Sequence, residues 1–126
     1  MKIAVIRERR AGEARVAATP TTVKKFIGMG FEVAVETGAG DGASIPDADF
    51  EAAGATIAGD AAAALSGADI ILKVQGPISS SELDEVAAMK SGAVLAAIMN
   101  PRAEREGLEA CAKAGLTAFA MEFMPR

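Results

Sequence analysis

Residues 36–44, ETGAGDGAS, place glycines at 38 and 40 and an alanine at 43. That is the G-x-G-x-x-A spacing that lets a backbone approach a dinucleotide pyrophosphate. Asp60 lies downstream at roughly the distance of the acid that holds a ribose hydroxyl in such sites. The fingerprint works only between a strand and the first turn of the next helix, where backbone N–H groups face the phosphates. Here Ser44, Ile45 and Pro46 intervene before the next cap, Asp47, and the helix that follows is short. Asp41 also sets a carboxylate inside the would-be anion cradle. The stretch is therefore read as a turn after a strand, with positive φ required at Gly38, Gly40 or Gly42.

The other candidates are mostly cations. Arg7, Arg9, Arg10 and Arg15 follow the first apolar run, and Lys73 and Gln75 end the fourth. Asn100 follows the fifth run, and residues 122–126 follow the sixth. An ammonium ending an apolar strand, as at Lys73, either reaches water or meets an anion. The run RERR (7–10) is read as a solvated, partly self-paired loop. The chain has no histidine, which removes the commonest general base, any Ser–His or Cys–His pair and most zinc sites. The carboxylates of DADFE (47–51) lack the glycine and distal glutamate of a calcium loop and are read as a solvated helix start. Cys111, the only cysteine, excludes an internal disulfide, fits a reducing cytoplasm and is read as a core-facing helix residue. No catalytic or metal-ligating residue is assigned.

These groups need a scaffold, and the sequence supplies a regular one. Apolar residues make up 51% of the 126 residues and charged ones 24%, the balance of a globular chain of one domain. A net charge of −4, with five Phe and no Trp or Tyr, argues against nucleic acid. No apolar run reaches a membrane span. Short β-branched runs at 2–6, 31–36, 55–58, 69–74, 93–98 and 116–121 read as strands. Helix signals fall between them. Thr19 and Pro20 open one helix, Asp47 and Asp60 cap two short ones, Ser79 and Glu82 form a capping box, and Asn100-Pro101 opens a helix ending near Gly115. Such alternation predicts an α/β fold over residues 1–126. It is a doubly wound, mostly parallel six-stranded sheet in a flavodoxin- or Rossmann-like three-layer sandwich without the dinucleotide fingerprint. Ligands of such sheets gather outside the carboxyl ends of the strands.

Several motifs in combination resemble the N-terminal segment of the alanine dehydrogenase and nicotinamide nucleotide transhydrogenase family. They are Arg7-Glu8, EARVAATP (Glu13–Pro20), the pattern G..V.VE.GAG..A...D..F..AGA, and LKV..P. The resemblance covers essentially the whole chain, and its transhydrogenase branch is the nearer one. Alanine dehydrogenases carry a catalytic histidine just past the fifth strand, where this chain has Asn100. The ending AFAMEFMPR also resembles the transhydrogenase segment that leads into an ISRAQS-type loop.

The resemblance implies the first lobe of the NAD(H)-binding component of a proton-translocating transhydrogenase α subunit. Its reaction would be hydride transfer between NAD(H) here and NADP(H) on another component, coupled to proton movement through a membrane component. Arg126 matches the arginine that begins the family's nicotinamide-site loop and is the expected cofactor contact. Arg15 and Lys73 match the pair that holds the substrate carboxylate in alanine dehydrogenases; with Asn100 replacing the histidine, they are expected to shape the nicotinamide pocket. In the family the true fingerprint lies on a second lobe, and a C-terminal segment returns to complete the first. The chain is thus expected to be a fragment, separately encoded or truncated, inactive alone, with an apolar patch where the returning segment would lie. A homodimer in full-length form, and a cytoplasmic location peripheral to the inner membrane through partner subunits, are implied likewise. Two rivals stand beside this reading. One is a non-catalytic α/β module for a small anion or a partner, and the other is an alanine dehydrogenase lobe.

Overall fold

The structure, a computed structural model, describes residues 1–76, 85, 88–99 and 105–121, with backbone alone at 105–108. Six strands form one sheet: β1 (Lys2–Val5), β2 (Glu32–Glu36), β3 (Thr56–Ala58), β4 (Ile70–Gln75), β5 (Val94–Ile98) and β6 (Thr117–Ala120). Every pairing is parallel, in the order β3-β2-β1-β4-β5-β6. This is the Rossmann order rather than the flavodoxin one, and it places the topological switch between β1 and β4.

Local chemistry explains the helices. Helix α1 (Pro20–Gly28) begins with Thr19 accepting from the Thr22 amide at 3.3 Å while the Thr22 hydroxyl accepts from the Thr19 amide at 2.8 Å. Pro20 fits the first turn, where no N–H is needed. The chain leaves through Gly30 at φ 95°. Helix α3 (Ala61–Leu65) is capped by Asp60, whose Oδ1 accepts from the Ala63 amide at 2.7 Å. Helix α2 (Asp47–Ala52) departs from expectation, because Pro46 rather than Asp47 is its cap residue. Asp47 instead reaches back to the turn after β2, accepting from the Thr37 hydroxyl at 2.6 Å and the Gly38 amide at 2.9 Å. Helix α4 (Arg105–Lys113) buries Cys111, whose thiol pKa is pushed up by burial. The Ser79–Glu82 capping box, Asn100-Pro101 and residues 122–126 lie outside the described residues.

The core has two halves. On one face α1 and α2 set Val23, Phe26, Ile27 and Phe50 against Ile3, Val5, Val33 and Val35. On the other, α3 and α4 set Ala64, Leu65 and Cys111 against Ala4, Ile71, Leu95 and Ala97. Phe50 is wholly buried, which contributes roughly 2–3 kcal/mol through the area it removes from water. The first face runs on over β4, β5 and β6 as two cross-strand rows, Ile70–Val94–Thr117 and Leu72–Ala96–Phe119. There the cover thins: Ile70, Leu72, Val94, Ala96 and Ile98 are half-buried, while Phe119 and Met121 are 51% and 43% exposed. Among the described residues no helix is long and apolar enough to cross a membrane.

Candidate functional site

The carboxyl ends of β1, β2 and β4 meet under residues 6–19, an irregular strap between β1 and α1. The strap is held by carboxylates. Glu8 folds under it, with its Oε2 accepting from the Val74 amide at 3.0 Å and its Oε1 from the Gln75 amide at 3.0 Å. Lys73 Nζ lies 3.3 Å from Glu8 Oε1 and 3.5 Å from Glu85 Oε1, and its side chain is 1% exposed. Lys73 therefore meets anions and does not reach water. The anions belong to the protein itself.

Arg9 donates to both oxygens of Glu36, at 2.7 Å to Oε2, and lies 3.6 Å from Glu85 Oε2. Arg10 Nε donates to the Gly76 carbonyl at 3.1 Å. The reading of RERR as a solvated, partly self-paired loop is thus corrected in part: Arg7 is exposed and its carbonyl accepts from Arg9 Nη1 at 2.9 Å, but Glu8 is buried, and Arg9 and Arg10 anchor the strap to Glu36 of β2 and to Gly76 just past β4.

Arg15 is exposed and clamped by Glu13. That carboxylate accepts from the Arg15 amide and Nε, both at 2.9 Å, and from Nη2 at 2.7 Å. Glu13 also accepts from Gln75 Nε2 at 3.0 Å. Arg15 and Lys73 are thereby linked through Glu13, Gln75 and Glu8. Bonds from Arg15 and Gln75 hold the Glu13 carboxyl down at about 2, well below its ordinary range. Arg126 lies outside the described residues.

The glycine stretch does not cradle phosphate here. Five amides are spent inside the turn, Ala39 on Glu36, Asp41 on Gly38, Ala43 and Ile45 on Gly40, and Ser44 on Asp41, and the Gly38 amide is spent on Asp47. Gly38 takes φ 78°, as a turn requires. Gly40 and Gly42 have ordinary φ and are needed for space. A Cβ on Gly40 would stand 2.8 Å from the Phe50 ring, and one on Gly42 would stand 2.7 Å from the Ala14 carbonyl oxygen. The strap and this turn enclose a cavity of about 130 Å³ lined by Arg7, Glu8, Glu13, Arg15 and Asp41 among others. The cations that a pyrophosphate would need are already taken by the protein's own carboxylates, Arg15 by Glu13 and Lys73 by Glu8. Asp60 is occupied as a cap and is not set to hold a ribose. The described residues thus do not fit the adenosine and pyrophosphate half of a dinucleotide.

Two other concavities differ in character. One of about 730 Å³ runs along the edge strand β3, lined by Lys2, Ile27, Phe31, Thr56, Ala58 and Gly59 among others. Another, of about 290 Å³, lies on the thinly covered face between Val16, Ala17, Leu72, Ile98 and Met121.

Composition alone did not single out Glu8, Glu13, Glu36 or Glu85. The available signal was a carboxylate ending an apolar strand at Glu36, mirroring Lys73, and the Glu-x-Arg spacing of residues 13 and 15.

Known proteins are similar in sequence and in fold. The family described as "Alanine dehydrogenase/PNT, N-terminal domain" matches residues 4–126. The first portion of the NAD(P) transhydrogenase alpha subunit of Rhodospirillum rubrum is 56% identical, covering 100% of this chain and 33% of that protein. The alanine dehydrogenase of Halomonas elongata is 39% identical over 97% of this chain and 32% of its own length. The crystal structure of transhydrogenase from Sinorhizobium meliloti superposes with a TM-score of 0.90 at 46% identity, covering 100% of this chain and 36% of that one. The chain spans about a third of the length of the curated relatives it matches.

Proposed function

The chain belongs to the alanine dehydrogenase/PNT N-terminal domain family, and on that premise we propose that it is the outer lobe of the NAD(H)-binding component of a proton-translocating NAD(P) transhydrogenase. In this reading it forms one wall of the nicotinamide cleft. NADP(H) sits on a partner component, and a membrane component moves the proton. The full-length form is a homodimer, held on the cytoplasmic side of the inner membrane through its partners.

The observation that carries the reading is the match along the whole chain to a transhydrogenase subunit at 56% identity, against 39% for an alanine dehydrogenase. The site's chemistry agrees. Hydride passes between two nicotinamides without a protein acid or base, so the lobe has only to position its cofactor. Arg9, Arg15 and Lys73 are each already engaged by carboxylates, which suits pocket walls better than proton carriers. In this reading Arg126 contacts the nicotinamide, and Arg15 and Lys73 shape the pocket beside it. The pyrophosphate site is assigned to a second lobe, and the thinly covered face of β4–β6 to a returning segment of the same subunit.

The test is hydride transfer from NADH to an NADP⁺ analogue by the protein as its gene encodes it, with its partner components. Arg126→Ala should lower kcat about a hundredfold, the loss typical of a mispositioned reactant. Turnover of pyruvate and ammonia instead would assign the lobe to an alanine dehydrogenase. Activity toward neither substrate set would leave the non-catalytic module.

A further inference from the structure

Charges alternate in sign across the carboxyl ends of the central strands. From β2 toward β4 they run Glu36, Arg9, Glu85, Lys73 and Glu8. Arg9 Nη2 meets Glu36 Oε2 at 2.7 Å, Arg9 Nη1 lies 3.6 Å from Glu85 Oε2, and Glu85 Oε1 lies 3.5 Å from Lys73 Nζ. The side chain of Arg9 is 25% exposed, and those of the others at most 2%. Backbone groups pin both ends of the row: Glu36 takes the Arg7 amide at 3.2 Å, and Glu8 takes those of Val74 and Gln75. Arg9 is pinned as well, since Nη1 donates to the Arg7 carbonyl at 2.9 Å and so lies across the end of β1. Lys73 is placed differently. It stands 3.3 Å from Glu8 and 3.5 Å from Glu85, so its position is a balance between two carboxylates.

We propose that Arg9 is a positioning residue for the pocket at the switch between β1 and β4: through Glu85 it sets where the Lys73 ammonium stands. Buried charges a few ångströms apart act on one another far more strongly than they would in water. The pull of Glu85 on Lys73 therefore depends on how much of that carboxylate's charge the guanidinium already meets. Without the guanidinium, more of it falls on Lys73, and the ammonium shifts from Glu8 toward Glu85. An arginine suits the place because its planar fork reaches Glu36 with one arm and Glu85 with the other. That a nicotinamide fills the pocket rests on the hydride-transfer reading; the control of Lys73 by Arg9 does not.

The test reads Lys73 directly, as its Nζ resonance in the protein as its gene encodes it, labelled at the lysine nitrogens. Arg9→Gln should displace that resonance, and Arg9→Lys, which keeps the charge, should lie between Arg9→Gln and the unmodified protein. Asp47→Asn unties the turn after β2 without touching the row; it should lower Tm and leave the resonance in place. A resonance unmoved in Arg9→Gln, moved as far in Asp47→Asn, or no nearer its origin in Arg9→Lys overturns the proposal. Should Arg9→Gln fail to fold, Glu36→Gln decides, because it frees the guanidinium on one side and must displace the same resonance. With the partner components present, Arg9→Gln should lower kcat for hydride transfer about tenfold and change KM for NADH little, the mark of a lost positioning effect. Unchanged kcat and KM beside a displaced Lys73 also overturn it. An unmodified protein that transfers no hydride removes the hydride-transfer reading, and the resonance still decides whether Arg9 sets Lys73.

Discussion

Glu13 and Arg15, two residues apart, close a clamp in which one carboxylate takes the arginine's backbone amide, its Nε and its Nη2, at 2.7 to 2.9 Å. A bidentate guanidinium–carboxylate pair fixes orientation as well as charge. The same carboxylate takes Gln75 Nε2, which ties the strap to the end of β4. Arg15 thus presents a guanidinium whose direction is set from below.

The clamp has a pH signature. Glu13 is held at about 2 in the folded chain, below its ordinary 4.5. A depressed folded-state value adds stability above the unfolded value, and this is lost as pH falls from about 4.5 toward about 2. Glu13→Gln should therefore flatten the acid limb of a stability profile in that window while leaving the slope near neutral pH unchanged. Carboxyl chemical shifts followed by NMR would report the titration directly, and a Glu13 midpoint near 4.5 would dissolve the clamp.

Lys73 offers a sharper contrast of magnitudes. Removing one partner of a buried pair costs about 3–5 kcal/mol, because the carboxylate left behind is uncompensated. A solvated strand-end lysine contributes under about 1 kcal/mol. Lys73→Met, of similar length, should show the larger loss in urea unfolding, since it leaves Glu8 and Glu85 facing a thioether. A change below about 1 kcal/mol would put Lys73 back in water.

The sequence was most informative where chemistry is local. Thr19, Pro20, Gly30 and Asp60 act at the helix ends as their residue types dictate, and the apolar runs became the strands within a residue or so. Parallel pairing followed from alternation, but the choice of Rossmann over flavodoxin order did not, since strand order is a matter of long-range contacts. Asp47 shows the limit. Its type and place suit a cap, yet the turn after β2 competes for the same oxygens and wins them. The carboxylate partners of Lys73 and Arg9 were hidden for the same reason, being separated in sequence by dozens of residues and joined only by the sheet.

The glycines of the turn divide by cause, and substitution should separate them. Gly42→Ala pushes a methyl against the Ala14 carbonyl, and Gly40→Ala against the Phe50 ring. Overpacking of this kind costs about 1–3 kcal/mol. Gly28, in the last turn of α1, has open space around its Cβ position and an ordinary φ. Gly28→Ala should instead stabilise by up to about 1 kcal/mol through helix propensity. Urea midpoints for the three variants give the order, and a neutral Gly42→Ala would free the strap from the turn.

If the turn binds no phosphate, the 126-residue chain should not hold NADH tightly. Its amides at 39, 41, 43, 44 and 45 are already bonded to carbonyls, and prising them loose would cost about as much as new bonds to a phosphate would contribute. Titration followed by nucleotide fluorescence should stay flat through micromolar concentrations. Saturation in that range, lost in Gly38→Ala, would restore the fingerprint.

The thinly covered face makes the last prediction. Leu72, Ala96 and Ile98 line a groove of about 290 Å³, and Phe119 stands half-exposed at its border. Strand β6 pairs with β5 along one side, and an edge strand beside an apolar face is a ready template for another chain. The 126-residue chain should therefore associate with itself as concentration rises, seen as a growing weight-average mass in sedimentation equilibrium. Phe119→Asp sets a charge at the border of that groove, on the edge strand, and should shift the association to at least about tenfold higher concentration, the factor that about 1.4 kcal/mol sets. In the protein as its gene encodes it the same substitution should act on folding rather than on association, because the proposed returning segment would already occupy the face. A chain that stays monomeric at high concentration, with or without Phe119→Asp, would mean the face is content in water and needs no cover.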